Sequence, residues 1–283
     1  MVIVGALLAL LAAVSYGAGD FVGGVGGRRT VPALVTVVIQ VVGVLSAALA
    51  VLVVPGGAPT AAVLAWGALS GVGSGIGNAA LFRGLALGRM SVVAPVSAVT
   101  TALLPALAGV LDGDRLSGLA WAGVAVALPA IALVSREPGG ADAGEPLRDV
   151  RYGLLAGTGF GLLFIALDRA GTAAGAWPLL PGQLVAVAVV AALAGPAMRR
   201  ADRAGWGPAV RWGLPSGLLG AAANLLFLAA TGRGQLTVAA VLTALYPAVT
   251  VLLAATVLRE RLRAVQAVGL AAAGVAVTLV VLG

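Results

Sequence analysis

The stretch WGALSGVGSGIGN, residues 66–78, decides the fold, because a second version of it, WGLPSGLLGAAAN, occupies residues 212–224. The offset from residue 66 to residue 212 is 146 positions, and it continues without a gap until 66–134 has been mapped onto 212–280. Three unusual features recur at this offset, namely Trp66 with Trp212, Asn78 with Asn224, and Asp114-Arg115-Leu116 with Glu260-Arg261-Leu262. Chance would match Ala, Gly, Val and Leu in so biased a composition, but not these residues at one fixed spacing. The sequence therefore predicts two copies of one structural unit.

Composition indicates that lipid surrounds both copies. The 283 residues are 61% hydrophobic and 10% charged, with a mean hydropathy of +1.10, whereas a soluble domain carries about 25% charged residues. So little charge cannot cover a water-facing surface, so we predict an all-α integral membrane protein embedded in a lipid bilayer. All 17 basic residues are Arg, and this absence of Lys beside abundant Ala, Gly and Val favours the plasma membrane of a GC-rich bacterium.

The residue types that the chain lacks exclude several kinds of site. It has no Cys and no His, which removes disulfides, thiolate centres, Cys/His zinc sites and acid/base catalysis by imidazole. The Gly-rich stretch 71–77 is not followed by the Lys-Ser/Thr of a phosphate loop, so ATP is not indicated as an energy source. We expect no cofactor, no bound metal and no enzymatic activity. The net charge of +7 comes from arginines in short gaps between apolar runs, which favours membrane orientation over nucleic-acid binding.

Ten apolar stretches approach the roughly 20 residues that a spanning helix needs. They are 3–23, 31–54, 60–83, 90–111, 116–135, 152–170, 178–197, 208–230, 236–258 and 264–282. We expect the first to be a retained span rather than a signal peptide, because no basic region precedes it, and we predict a turn at 26–29. Five spans per unit is an odd number, so the second unit must enter the membrane from the opposite side. The prediction is two inverted five-helix repeats, 1–135 and 152–283, joined by a polar linker, 136–151.

The distribution of arginine predicts the orientation of these spans. Only Arg115, Arg169 and Arg233 fall in the loops on one side of the predicted membrane, and the other arginines fall on the opposite side. The positive-inside rule places the arginine-rich side in the cytoplasm and both termini outside.

Several of these features resemble the EamA-like family of the drug/metabolite transporter superfamily. The resemblance is carried by the acid-Arg-Leu triplet after the fourth span, the Gly-rich fifth span, the two five-span units and the opening stretch YGAGDFVGG at 16–24. It implies a secondary transporter, often an exporter of amino acids or other small metabolites. It also implies a central cavity lined by spans one, three, four, six, eight and nine, and termini in the cytoplasm, which is the reverse of the arginine count.

Asn78 and Asn224 are the first candidates for a substrate site, because they occupy equivalent positions in the third and eighth spans. An amide both donates and accepts, so the pair can hold a zwitterionic or amide-bearing solute. It can equally join two helices, at about 0.6 kcal/mol per bond. Gln40 and Gln183, in the second and seventh spans, are interpreted as interhelical contacts.

Asp20 is the one candidate proton carrier, since a carboxylate within a span is costly and calls for a function. It lies near the end of the first predicted span, where it can serve a proton or a substrate amine. The alternative is a helix-end carboxylate that bonds to backbone donors or to Arg28 or Arg29. If Asp20 carries no proton, facilitated diffusion is favoured.

The remaining candidates line or break the predicted spans. Thr101 and Tyr246 are proposed to contact solute, and Phe160 is proposed as an apolar cavity wall, although each can instead be a packing residue. Pro105 and Pro247 remove a backbone hydrogen bond and are candidates for a helix break or gate, or for kinks that packing tolerates.

Two other classes of membrane protein are alternatives to a transporter. An enzyme that acts on lipid would need clustered carboxylates, His or Cys at membrane depth, and the sequence offers no such cluster. An interaction partner would need an exposed soluble region, and the longest polar stretch, 136–151, is too short to fold alone. We therefore expect a monomeric transporter whose partners are a small-molecule solute, such as an amino acid, and protons as the candidate coupling ion.

Overall fold

A computed structural model describes residues 2–87, 90–135, 146–198, 206–259 and 261–283, and no strand occurs in these ranges. Their helices are α1 (Val2–Arg29), α2 (Pro32–Val53), α3 (Ala61–Leu87), α4 (Met90–Leu111), α5 (Gly118–Val134), α6 (Pro146–Ala170), α7 (Leu179–Met198), α8 (Trp206–Thr231), α9 (Leu236–Thr243), α10 (Tyr246–Val257) and α11 (Ala264–Leu282).

The helices are long and apolar enough for a multi-pass membrane protein. Seven described segments meet the length and hydropathy of a membrane span, and one of these combines α9 and α10 as Leu236–Val257. The helix α5 and the stretch Leu179–Ala192 of α7 are shorter apolar helices, and α3 has 27 residues. The all-α membrane class is confirmed. Each of the ten predicted spans is helical, and the ninth is divided into two helices.

Two predicted boundaries were wrong. The helix α1 continues through Gly26, Gly27, Arg28 and Arg29, where we predicted a turn. Gly26 lies so close to Trp212 of α8 that a Cβ there would meet the Trp212 Cβ, so packing favours helix over turn. The arginines in the last turn also suit the negative end of the helix dipole. The helix α6 begins at Pro146, inside the predicted linker, of which 136–145 lies outside the described residues.

The helices of each half pack mainly on helices of the other half. α3 packs along α6 and α7, and α8 packs along their counterparts α1 and α2. α4 packs on α6, and α9 and α10 pack on α1. α5 packs on α11. The largest contacts between unlike helices thus occur in matched pairs, so much of the core forms between the predicted units rather than inside each of them.

Glycine and alanine allow these helices to approach closely. Alanine is the commonest residue of the buried core. A Cβ at Gly73 of α3 would come within 2.6 Å of the carbonyl oxygen of Gly159 in α6. A Cβ at Gly213 of α8 would lie 2.7 Å from the Val38 Cβ of α2. Small residues at such crossings drive helix association in lipid, where apolar surface alone gives little advantage.

The two ends of the bundle differ in packing. We name them the Asp114 end, where the α4–α5 and α8–α9 connections meet, and the Trp212 end, where α1 finishes and α8 begins. All eight residues of α9, nearer the Asp114 end, are buried. In α10, which continues toward the Trp212 end, no residue is buried. The bundle is therefore sealed at the Asp114 end and looser at the Trp212 end.

We expect Gly71→Ala to lower the thermal stability of the purified protein in detergent. Its Cβ would meet the carbonyl group of Gly182, and the Val185 Cβ at 2.9 Å, and such overpacking typically costs about 1–3 kcal/mol. Gly274→Ala is the matched control, because Gly274 is exposed in α11 and a Cβ there meets nothing within 4 Å. Equal melting temperatures for the two variants would contradict the close-packing role.

Candidate functional site

Tyr16 and Asn224 form a polar contact inside the bundle. The Tyr16 hydroxyl, in α1, donates to Oδ1 of Asn224, in α8, at 2.7 Å. The Asn224 amide nitrogen donates in turn to the carbonyl oxygen of Gly220 at 3.1 Å. Both side chains are half-buried. This bond fixes the amide with its oxygen toward α1 and joins two helices that belong to different predicted units.

Asn78 has the same local geometry as Asn224 but a different environment. Its amide nitrogen donates to the carbonyl oxygen of Ser74, four residues earlier, at 3.0 Å. The side chain that faces this region from α6 is Phe160, whose ring would lie 2.8 Å from a Cβ at Gly77. Gly77, the chain neighbour of Asn78, therefore packs on an aromatic ring that has no hydroxyl group. The structure does not bring the two asparagines into contact with each other.

Tyr16-Gly17 in α1 and Phe160-Gly161 in α6 occupy corresponding places. Gly17 packs against Val249 of α10, and Gly161 packs against Leu104 of α4. The offset between these pairs is 160 − 16 = 144, two less than the 146 positions that relate 66–134 to 212–280. Tyr16 was not among the site residues predicted from the sequence. A two-residue gap in the repeat would have aligned it with Phe160 and revealed the hydroxyl that only the first half carries.

Aromatic side chains surround the Tyr16–Asn224 contact. The ring of Tyr16 lies 6.2 Å from that of Tyr246 and 6.2 Å from that of Phe164. Phe164 stacks on Phe227, with ring centroids 4.3 Å apart. Of the predicted contact residues, Tyr246 joins this cluster and Phe160 does not.

The ninth span is interrupted beside the same cluster. α9 ends at Thr243, α10 begins at Tyr246, and Pro247 lies in the first turn of α10. The Thr250 hydroxyl donates to the carbonyl oxygen of Gly17 at 3.0 Å, which ties α10 to α1. α4, by contrast, is continuous through Pro105. Only one of the two predicted proline positions therefore lies at an interruption in the helix.

Asp20 and Thr101 lie in opposite kinds of environment. Asp20 is one helical turn beyond Tyr16 in α1. Its side chain is exposed although the aromatic cluster is beside it, so it faces an accessible space at the looser end of the bundle. Thr101 is 1% exposed and donates to the carbonyl oxygen of Ser97 at 2.8 Å. A solute contact by Thr101 stays a prediction.

A recess of about 200 Å³ opens between α2, α7 and α8, and we call it the α2–α7 recess. It is lined by Gly43, Ser46, Ala47, Ala50, Leu179, Gln183, Leu218, Ala221, Ala222, Asn224 and Leu225. A second space of about 20 Å³ shares Leu179, Gln183 and Asn224 with it and reaches Ser70 and Ser74 of α3. Gln183, which we interpreted as an interhelical contact, thus lines both spaces.

The acid-Arg-Leu triplet of the first half seals the Asp114 end. The Asp114 carboxylate accepts a hydrogen bond from the backbone N–H of Thr237 in the first turn of α9, at 2.9 Å. The Thr237 hydroxyl donates to the carbonyl oxygen of Ala106 at 3.0 Å, and the Gln235 amide donates to that of Arg115 at 2.9 Å. A carboxylate at a helix N-terminus is stabilised by free N–H groups and the helix dipole. The equivalent Glu260 lies outside the described residues.

The family resemblance is confirmed for the second half of the chain. Residues 150–282 match the model of the EamA-like transporter family, which is part of the drug/metabolite transporter superfamily. The internal repeat relates the first half to this EamA-like half, and both contribute to the Tyr16–Asn224 contact.

The whole fold is shared with a solved crystal structure. That structure superimposes with a TM-score of 0.71 at 17% sequence identity, over 98% of this chain and 97% of the other. At this identity the likeness shows the fold alone. No curated protein matches the chain.

We expect a double-mutant cycle to show coupling between Tyr16 and Asn224. Tyr16→Phe and Asn224→Leu each remove the bond, so their effects on the free energy of unfolding should be non-additive by about 0.6 kcal/mol, and at most about 1.7 kcal/mol. The measurement is reversible unfolding in mixed detergent micelles. Tyr16→Phe combined with Asn78→Leu is the control and should be additive, because Asn78 bonds within α3. Additivity in both cycles would contradict the contact.

We expect Asp114→Asn to destabilise the EamA-like half by about 1 kcal/mol, because the charge at the N-terminus of α9 is lost. Asp112→Asn is the matched control. Asp112 pairs with Arg169 at 2.7 Å, with both side chains more than 40% exposed, and an exposed pair contributes roughly 0–1 kcal/mol. Thermal unfolding at low and high salt should show the smaller, salt-sensitive loss for Asp112→Asn. A larger loss for Asp112→Asn than for Asp114→Asn would contradict the capping role.

Proposed function

We propose that the protein is a secondary transporter of small metabolites such as amino acids, which works by alternating access between two inverted five-helix repeats in the plasma membrane of a bacterium. Export is the direction that the family resemblance favours. The observation that carries the proposal is the unequal packing of the ninth span. α9 is fully buried at the Asp114 end and α10 has no buried residue toward the Trp212 end, as expected of a bundle closed at one end and accessible from the other.

Three further observations support this proposal. The packing of each half on helices of the other is what an inverted repeat produces. Polar and aromatic groups, including Tyr16, Asn224 and Tyr246, meet where the ninth span is interrupted, and irregular backbone within a membrane is tolerated where it is packed on protein or lines a cavity. The EamA-like match assigns the second half to a family of transporters.

Asp20 is the proposed proton or amine partner. Its side chain is exposed, it lies one helical turn from Tyr16, and it stands beyond the Tyr16–Asn224 bond from the sealed end. By the arginine count, the Trp212 end faces the cytoplasm, so Asp20 would take its proton or solute from that side. Asn224 and Tyr246 are the proposed solute contacts. Thr101 is buried. Asn78 and Phe160 are the residues equivalent to Asn224 and Tyr16, and Phe160 has no hydroxyl group.

Transport in liposomes tests the function directly. We expect flux of one or more labelled amino acids or metabolites, lowered at least about tenfold by Asn224→Leu, which corresponds to roughly 1.4 kcal/mol. Asp20→Asn should abolish the stimulation by a pH gradient and leave protein insertion unchanged. Leu214→Ala, on the exposed face of α8, is the matched control and should transport as the parent does. Flux that none of the variants changes would reject these residues as the site.

Alternating access is testable because the chain has no native cysteine. We expect a cysteine at Val241, 0% exposed in α9, to resist a water-soluble maleimide in the resting protein. A cysteine at Leu253, which is half-buried in α10, should react. Under transport conditions the Val241 position should gain reactivity from the opposite side of the membrane while the Leu253 position loses it. Reactivity that does not respond to the transported solute at either position would contradict the mechanism.

A further inference from the structure

The α2–α7 recess opens on the side of α8 that faces lipid. Its rim includes Leu218, 51% exposed, and the exposed Ala222. Val210 and Leu214, each 45% exposed, precede them at four-residue spacing on the same helical face. This face is apolar and lies away from Gly213 and Gly217, which pack on α2. In a bilayer, the recess is therefore entered from the hydrocarbon and not from water.

The floor of the recess is polar. Gln183 and Asn224 lie there together with Ser46 of α2. Gly43 leaves room for the Gln183 amide, since a Cβ at Gly43 would lie 2.9 Å from its Oε1. Among the described residues, neither the Gln183 amide nor the Ser46 hydroxyl is hydrogen-bonded to a partner. An unpaired polar group at membrane depth is unfavourable without a hydrogen-bonding partner, so this floor is suited to a hydrogen-bonding guest.

The lining also limits the charge and size of the guest. Every residue that lines the recess is uncharged, and a charged solute would lose its hydration without gaining a counter-ion. The volume of about 200 Å³ is below the roughly 300 Å³ at which typical drug-sized pockets begin. The guest should therefore be small and neutral, with an apolar part toward the rim and a hydroxyl or amide toward the floor.

A route continues from the recess toward the centre of the bundle. Asn224 lines the recess, lines the smaller space beside Ser70 and Ser74, and accepts the hydrogen bond from Tyr16. A solute that reached Asn224 would lie beside the Tyr16–Asn224 bond, which is the only described hydrogen bond between a side chain of α1 and a side chain of α8.

We propose that the α2–α7 recess is a lateral binding site and entrance for small, neutral, amphiphilic solutes that partition into the bilayer, with Gln183 and Asn224 as their polar contacts. This rests on the proposed transport function for the passage of the solute, but binding in the recess does not depend on transport.

Photolabelling in liposomes tests the binding step. The probe is a six-carbon primary alcohol with a diazirine in its chain, and labelled residues are mapped by mass spectrometry. We expect labelling on the segments that contain Ser46, Gln183 and Leu218, reduced by excess hexan-1-ol and not by the charged analogue hexyltrimethylammonium. Ala222→Trp, which fills the rim, should lower this labelling about tenfold, equivalent to roughly 1.4 kcal/mol of binding free energy. Leu214→Trp, on the same exposed face but outside the recess, should not lower it.

Several outcomes would overturn the proposal. Uniform labelling of all lipid-facing helices without competition would show partition into the bilayer only. Strong labelling of the recess by a phospholipid with a diazirine in its acyl chain, unaffected by hexan-1-ol, would show that lipid occupies it. Transport failing for all solutes while competitive labelling persists would reject the transporter and leave the recess site standing. Transport without competitive labelling would reject the recess site alone.

Discussion

Close contact between helix backbones is the constraint on which the rest of the structure depends. In a bilayer, apolar side chains gain little by leaving lipid for protein, so helices associate where small residues let them approach closely. Gly71 meets Gly182 and Gly73 meets Gly159 at such crossings, and alanine fills much of the remaining core. The pairs α1–α8 and α3–α6 consequently form two tightly packed units. Open space remains beside α2 and α7, in the α2–α7 recess.

The same lipid environment limits where polar side chains can lie in the interior. Each must be bonded, face an accessible space or face a guest. Asp114 bonds the first turn of α9, Thr101 bonds its own helix, and Tyr16 bonds Asn224. Asp20, Gln183 and Ser46 border accessible space, and the Gln40 amide nitrogen is buried without a hydrogen-bond partner in the described structure. That division separates polar groups that hold helices together from polar groups that can take part in binding, which residue type alone does not do.

The repeat made the helices of this fold predictable, but it did not predict how the two halves contribute unequally to the site. Ten spans could be recognised because each is an apolar run close to the thickness of a bilayer. The full length of α1 could not be predicted, because Gly26 is a turn signal in isolation and becomes a helix-contact position only against Trp212 and Val35. Asn224 could be proposed from its equivalent, Asn78. Tyr16 was missed because the offset in α1 and α6 differs by two residues from the offset used.

Gln183 was interpreted only as an interhelical contact, for a related reason. A Gln in a predicted span is usually an interhelical contact, and only the position of α7 relative to α2 and α8 shows that this one borders open space. The same limit applies to Pro105 and Pro247. Both are prolines in a fourth span of a repeat, yet α4 absorbs Pro105 within a continuous helix, whereas Pro247 starts α10 after an interruption. Both spans pack closely on a glycine of the neighbouring helix, α10 on Gly17 of α1 and α4 on Gly161 of α6, so this packing does not explain the difference.

Differences between the repeats bear on which end of the bundle is closed. Two identical inverted units would have equal free energies when closed at either end. In this chain the Asp112–Arg169 pair stands at the Asp114 end, and the position equivalent to Asp112, at 112 + 146 = 258, is Leu. Tyr16 and Asp20 in α1 likewise correspond to Phe160 and Phe164 in α6. Because each 1.4 kcal/mol changes a two-state population about tenfold, even one partly exposed ion pair shifts the balance. In the proposed alternating-access mechanism, the resting protein would favour closure at the Asp114 end, and a solute would have to bind the alternative state more tightly to reverse it.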